Sequence, residues 1–234
     1  MKKNLNCIPH RLLLPLLLLL ANRAQSQNAL WIAKWDASSL IDVVAPVASY
    51  SLEYRPKPRF SVELGFGIPM YYSLDDYRLN YRYQRWRLEA RRVVPKSPRF
   101  NFFYGIETML IPRKYAYENN NYTDRNNINY SYDFARIKQF TNLLLGKWGS
   151  TVQFSDRFVF EFFFGAGFRF SHMNYLDVQN PSSNGTVTFP NDEAYFDLDL
   201  NREGWHTFLH FSTGIKLGVL LNTPKEEKPK KRRR

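Results

Sequence analysis

Phe158-Val159-Phe160-Glu161-Phe162-Phe163-Phe164-Gly165-Ala166-Gly167-Phe168-Arg169-Phe170 alternates. Every even position is apolar, while the charges Glu161 and Arg169 fall on odd positions together with Gly165 and Gly167. A period of two predicts a β-strand with one apolar face and one face carrying charge and glycine. A soluble protein has to bury such a row of phenylalanines, whereas a membrane barrel turns it to lipid.

The same parity recurs along the chain, in segments separated by proline, asparagine and aspartate. Ala48, Tyr50, Leu52 and Tyr54 alternate with Ser49, Ser51, Glu53 and Arg55. After Pro56-Lys57-Pro58, the residues Phe60, Val62, Leu64, Phe66 and Ile68 oppose Ser61, Glu63, Gly65 and Gly67. Trp86, Leu88 and Ala90 oppose Arg85, Arg87, Glu89 and Arg91; beyond Pro95-Lys96-Ser97-Pro98, Phe100, Phe102, Tyr104, Ile106 and Leu110 oppose Asn101, Gly105 and Glu107. Residues 136–153 form a less regular strand through Leu145-Gly146-Lys147-Trp148, and Trp205 to Val219 alternate against His206, His210, Ser212, Gly214, Lys216 and Gly218. With a short first strand near Leu30 to Asp36, the expected count is eight, the smallest usual membrane barrel.

Connections alternate between tight breaks (56–58, 95–98, 155–157) and long polar ones (70–79, 115–135, 176–204). Short periplasmic turns and longer external loops produce this rhythm in outer-membrane barrels, with both ends of the barrel on the periplasmic side. The expected fold is an all-β, eight-stranded antiparallel up-and-down transmembrane β-barrel.

Glycine decides which face is inside. Gly65, Gly67, Gly105, Gly165, Gly167, Gly214 and Gly218 share the charged face, where they would only weaken an exposed strand. They fit a narrow interior crowded by long side chains. The lumen then holds Glu53, Glu63, Glu89, Glu107 and Glu161 against Arg85, Arg87, Arg91, Lys147, Arg169 and Lys216, which are expected to pair and plug an eight-stranded barrel. Tyr71, Tyr72, Tyr77, Tyr81, Tyr83, Trp86, Tyr115, Tyr117, Trp148, Tyr175 and Trp205 are expected in interfacial girdles.

The ends read differently. Lys2, Lys3 and Arg11 precede the apolar run Leu12 to Ala21, and Ala24-Gln25-Ser26 offers small residues to a signal peptidase. That run, broken by Pro15, is too short to span a bilayer as a helix. The expected division is therefore a signal peptide over 1–26 cleaved near Ser26, a barrel domain over 27–222, and a disordered basic periplasmic tail over 223–234. Cys7, the single cysteine, leaves with the leader, so the mature chain has no thiol chemistry. The net charge of +12 is mostly terminal, because the leader carries four bases and the tail a net +5, leaving +3 for the body. Nucleic acid is not an expected partner. The tail is expected to be solvated, or to touch anionic lipid or an acidic periplasmic partner.

Candidate chemistry is thin. His10 belongs to the leader, and His206 and His210 share one face too far apart, roughly 13 Å, to hold one metal ion. His172 falls on the apolar face near a strand end. Ser171, His206, Asp197 and Asp199 are the residue types of a hydrolytic triad, but nothing in their spacing selects them. No phosphate loop, metal-ligand cluster or dinucleotide fingerprint is present. No catalytic residue, metal or cofactor is expected.

Ser51-Leu52-Glu53-Tyr54-Arg55, Tyr104-Gly105-Ile106-Glu107, Leu145-Gly146-Lys147, Gly165-Ala166-Gly167-Phe168-Arg169 and Gly214-Ile215-Lys216-Leu217-Gly218 resemble a family of small outer-membrane barrels of Bacteroidota-type bacteria classed as a domain of unknown function. The resemblance covers most of 30–222. It implies fold and location in the outer membrane, with outer-membrane lipid as solvent, and no reaction. Gly214 to Val219 also resembles the last-strand signal read by barrel-assembly machinery, although here a basic tail follows it. The expected function is a non-enzymatic outer-membrane barrel with a plugged lumen, acting structurally or through its external loops. A secreted soluble barrel carrying an apolar ligand and a small enzyme with a rim active site are the alternatives.

Overall fold

The computed structural model describes residues 29–41, 47–70, 79–97, 99–186 and 201–222. The expected leader and basic tail, with Cys7 and His10, lie outside these residues, as do Asp197 and Asp199.

Ten strands are described: β1 (Leu30–Asp36), β2 (Val47–Lys57), β3 (Phe60–Pro69), β4 (Leu79–Tyr83), β5 (Arg85–Ser97), β6 (Phe100–Thr123), β7 (Ile128–Gln153), β8 (Phe158–Gln179), β9 (Ser182–Thr186) and β10 (Gly204–Leu220). They form one sheet that closes on itself through β1–β10 and β6–β7, and every strand pairing is antiparallel. Eight of them make the ring, in the order β1-β2-β3-β5-β6-β7-β8-β10. The other two continue ring strands past a break. β4 meets β5 at Gln84, which faces Pro112 of β6, a residue with no N–H to give to the ladder. β9 follows β8 after Asn180, at φ 50°, and Pro181.

The stretch 115–135 differs from its expectation as a polar loop. It is a continuous β6–β7 hairpin paired out to Thr123↔Asn129. Asparagine suggested a loop, but Tyr115, Tyr117, Tyr122, Tyr130 and Tyr132 favour strand, and the reversal needs only Asp124 to Asn127. Asp124 Oδ1 accepts hydrogen bonds from the backbone N–H of Asn126 and of Ile128, each at 2.8 Å, and Asn127 takes φ 63°. The barrel therefore has a turn end, carrying the three short connections, and a hairpin end, where β6, β7 and β8 project.

Burial follows parity. On β7, Ala135, Ile137, Gln139, Thr141, Leu143, Leu145, Lys147 and Thr151 are buried, while Lys138, Phe140, Leu144, Trp148 and Val152 are exposed. On β8 the outward Phe162 and Phe168 are about half exposed, at 50% and 49%. Phe163 and Val159 point inward and are buried.

Candidate functional site: the charged lumen

Strand register brings like charges together. Glu53 of β2 lies opposite Glu63 of β3, Glu63 opposite Glu89 of β5, and Glu89 opposite Glu107 of β6. Four glutamates thus form one row across adjacent strands on the inner wall. Like charges directly opposite repel, so the row can fold only if cations reach it from elsewhere.

They do so from several strands. Lys34 Nζ of β1 is in contact with Glu53, Glu161 and Glu63, the last at 3.0 Å. Lys216 Nζ of β10 reaches Glu63 at 2.6 Å and Glu161 at 3.4 Å. Arg91 spans the lumen with Glu63 at 2.6 Å, Glu89 at 2.8 Å and Glu161 at 2.8 Å. Lys147 closes the other end of the row, 2.8 Å from both Glu89 and Glu107. Arg87 ties Glu63, at 3.3 Å, to Asp36, at 2.8 Å. These side chains are buried, so the attractions act at low dielectric, and each ion is also costly to leave alone. Carboxylate oxygens of Glu53, Glu63 and Glu161 lie within 4.8 Å of one another, a spacing that suits a cation. The chain supplies that cation as the Lys34 ammonium.

Aromatic and apolar side chains complete the filling. Arg91 sits 4.3 Å from the Phe103 ring centroid and Lys147 Nζ 3.9 Å from that of Phe163, both inward rings. Val93, Phe103 and Phe163 pack together, as do Ile32, Val159 and Leu220 near the turn end. The 3-10 turn Ala37–Ile41 is held against the wall by Ser39 Oγ donating to Val47 O at 2.8 Å and Ser38 Oγ accepting from Ile215 N at 3.2 Å. A Cβ built on Gly105 would lie 2.7 Å from Arg91 Cα, and one on Gly218 2.6 Å from Val159 Cγ2. These interior glycines are places where neighbouring strands leave no room.

Glu53, Glu63, Arg87, Glu89, Arg91, Glu107, Lys147, Glu161 and Lys216 are thus joined in one cluster. Arg85 and Arg169 are also buried, nearer the hairpin end at the levels of Gly67 and Leu143. Sequence reasoning did not assign Lys34, Asp36 and Arg113, all buried inward. The alternation of Ile32, Lys34 and Asp36 with Trp31, Ala33 and Trp35 carries the signal for the first two. Among the described residues, six buried acids face eight buried bases.

The aromatic girdle needs correction. Trp86, Trp148 and Trp205 are outward and exposed, but Tyr83 and Tyr115 are buried, and Tyr117 and Tyr175 pack with Tyr115, Ile137 and Met173. Their parity matches Arg85, Glu107 and Arg169, and that parity, rather than residue type, sets the face. Tyr122 stacks on Tyr175 at 4.3 Å and Tyr130 at 5.4 Å, coating the inner side of the projecting hairpin. Burial pushes the Tyr132 and Tyr175 hydroxyls far above the ordinary tyrosine range, which keeps them neutral.

The rim gives no hydrolytic arrangement among the described residues. Ser171 and His206 are register partners, yet Ser171 Oγ bonds Gln139 Nε2 at 2.9 Å and Thr141 Oγ1 at 3.3 Å, while His206 Nε2 bonds Arg202 O at 2.9 Å. His172 faces outward, its ring 4.6 Å from that of Trp205.

No family model matches this chain, and no curated protein matches it. Among solved structures, Acinetobacter baumannii CarO is similar at a TM-score of 0.36 and 10% identity, over 82% of this chain and 95% of that one.

Proposed function

We infer that this chain is a non-enzymatic outer-membrane protein whose barrel spans lipid and whose lumen is closed by ion pairs. One observation carries the reading: the hydropathy of the barrel is inside out. Leu64, Leu88, Ile106, Leu144, Phe162, Phe168, Leu209 and Phe211 are exposed on the outer surface, while Lys34, Glu63, Arg91 and Glu161 fill the interior. Water is a poor solvent for the first set, and lipid suits it. The outward apolar runs Phe60 to Ile68 and Phe102 to Leu110 each match the roughly 9–11 residues of a tilted transmembrane strand. A soluble carrier of an apolar ligand needs the reverse arrangement.

On this reading the turn end is periplasmic and the β6–β7–β8 projection is external, available for surface contacts. Assembly through the last strand, Gly214 to Val219, and contact of the basic tail with anionic lipid or a periplasmic partner belong to the same proposal. So does membership of the Bacteroidota-type family that the sequence resembles. Heat-modifiable migration on a denaturing gel, together with partition into detergent, tests the core of it. Recovery of the folded protein in a detergent-free soluble fraction would overturn it.

A further inference from the structure

A second row of like charges runs across the outside of the barrel, and no acidic side chain among the described residues pairs with it. Arg82 of β4 is the register partner of Lys114 of β6, and Lys114 that of Lys138 of β7. Inward neighbours fix the direction of these side chains. Tyr83, Arg113, Tyr115, Ile137 and Gln139 are buried, so the three cations between them point out, and all three are exposed. Strands lie about 4.8 Å apart, so the row is roughly 10 Å long. Asn174 of β8 extends it at the same height without charge. Among the described residues none of the three cations has an acidic partner within ion-pair distance, in contrast to the glutamate row inside.

Height is the second observation. Toward the turn end the next outward level is Gln84, Pro112 and Phe140, and the level after it presents Trp86 and Leu110, the upper edge of the apolar band. The cations stand where hydrocarbon gives way to headgroups. Cations in register repel one another and need anions with several oxygens to bridge them.

We propose that Arg82, Lys114 and Lys138 form a docking row for the phosphate groups of lipid headgroups in the leaflet at the hairpin end. The inference rests on the membrane-spanning reading. The chemistry is phosphate recognition by fixed point charges, continuous with the lipid-facing band below, and phosphomonoester headgroups fit better than zwitterionic ones because no headgroup cation opposes the row.

The test uses the full chain and its R82Q/K114Q/K138Q variant, folded into phosphatidylcholine vesicles with or without phosphatidic acid. Lipid retained after detergent extraction is read by native mass spectrometry. The wild type is expected to retain phosphatidic acid over phosphatidylcholine, and the variant to lose that preference by about tenfold or more while keeping heat-modifiable migration. Equal retention by both proteins overturns the inference and leaves the membrane reading intact. Inorganic phosphate bound by the lipid-free, detergent-solubilised wild type and not by the variant, with no retention of phosphatidic acid over phosphatidylcholine, overturns it too, by assigning the row to free phosphate. A wild type that enters neither kind of vesicle removes the membrane reading, and this inference with it.

Discussion

Lys34 is the residue on which the lumen turns, because one ammonium touches three carboxylates from three different strands. Lys34→Met keeps most of the stem and removes the charge, so Glu53, Glu63 and Glu161 lose their shared counter-ion while remaining buried. Breaking a buried pair in this way costs about 3–5 kcal/mol, and urea unfolding followed by gel mobility is expected to show a loss of that size. A loss under about 1 kcal/mol would mean that Arg91 and Lys216 suffice. Combining Lys34→Met with Glu161→Gln is expected to cost less than the sum of the single changes, because the second change removes a charge the first has stranded. Glycine supplies a contrast of position. A methyl on Gly218 meets Val159 Cγ2 at 2.6 Å and both Ile32 and Lys34 at 3.1 Å, whereas one on the outward Gly146 meets only Ala166 O at 3.7 Å. Gly218→Ala is expected to destabilise by about 1–3 kcal/mol and Gly146→Ala by less than about 0.5 kcal/mol, measured in the same unfolding assay.

At the scale of elements, the seam between first and last strands is the shortest pairing in the ring, running from Ile32↔Leu220 to Asp36↔Lys216. Its register is checked by a disulfide, because residues 27–234 otherwise hold no cysteine. Ala33 and Val219 are direct partners on the outer face, so A33C/V219C is expected to oxidise to a cross-linked monomer, whereas A33C/L217C, offset by two residues, is expected to stay reduced. Much of this architecture was legible, because along most ring strands apolar residues separate from charge and glycine by parity, with exceptions such as inward Leu143 and Leu145 on β7, Phe103 on β6 and Phe163 on β8, and outward Gly146. Face was readable; height was not. Parity puts Glu53, Glu63, Glu89 and Glu107 on one face, but their alignment into a row depends on turns and on register shifts such as those between Tyr54 and Lys57 and between Pro95 and Ser97. The Arg82–Lys114–Lys138 row was hidden for the same reason, and further because Asn and Tyr made 115–135 look like a loop. Lys34 escaped notice because Ile32 shares its inward face near the turn end, blurring the polarity of a seven-residue strand. Tyr115, Tyr117 and Tyr175 were misplaced where residue type was allowed to outrank parity.

For the whole molecule, if the barrel spans lipid as proposed, the question is whether a voltage applied across the bilayer could open a lumen filled in this way. Moving one elementary charge across a full 100 mV is worth about 2.3 kcal/mol, and a side chain that shifts only part of the way gains less. Separating one buried pair costs about 3–5 kcal/mol, and a path through this lumen has to separate several that share Glu63, since Lys34, Arg87, Arg91 and Lys216 all converge on that carboxylate. Ordinary voltages therefore fall short, and the apolar layer of Val93, Phe103 and Phe163 adds a region where an ion would lose hydration. The wild type in planar bilayers is expected to show no sustained single-channel steps. Removing Lys34 and Glu63 together, as K34S/E63S, takes out a matched pair of charges and two long side chains, so the net charge is kept while space opens at the centre. If the ion pairs are the seal, that variant gains small, steady steps without a change in heat-modifiable migration. Regular steps from the wild type would contradict a closed lumen. A silent double variant would place the seal at the phenylalanine layer, and Phe163→Ala added to it would then be the change that conducts.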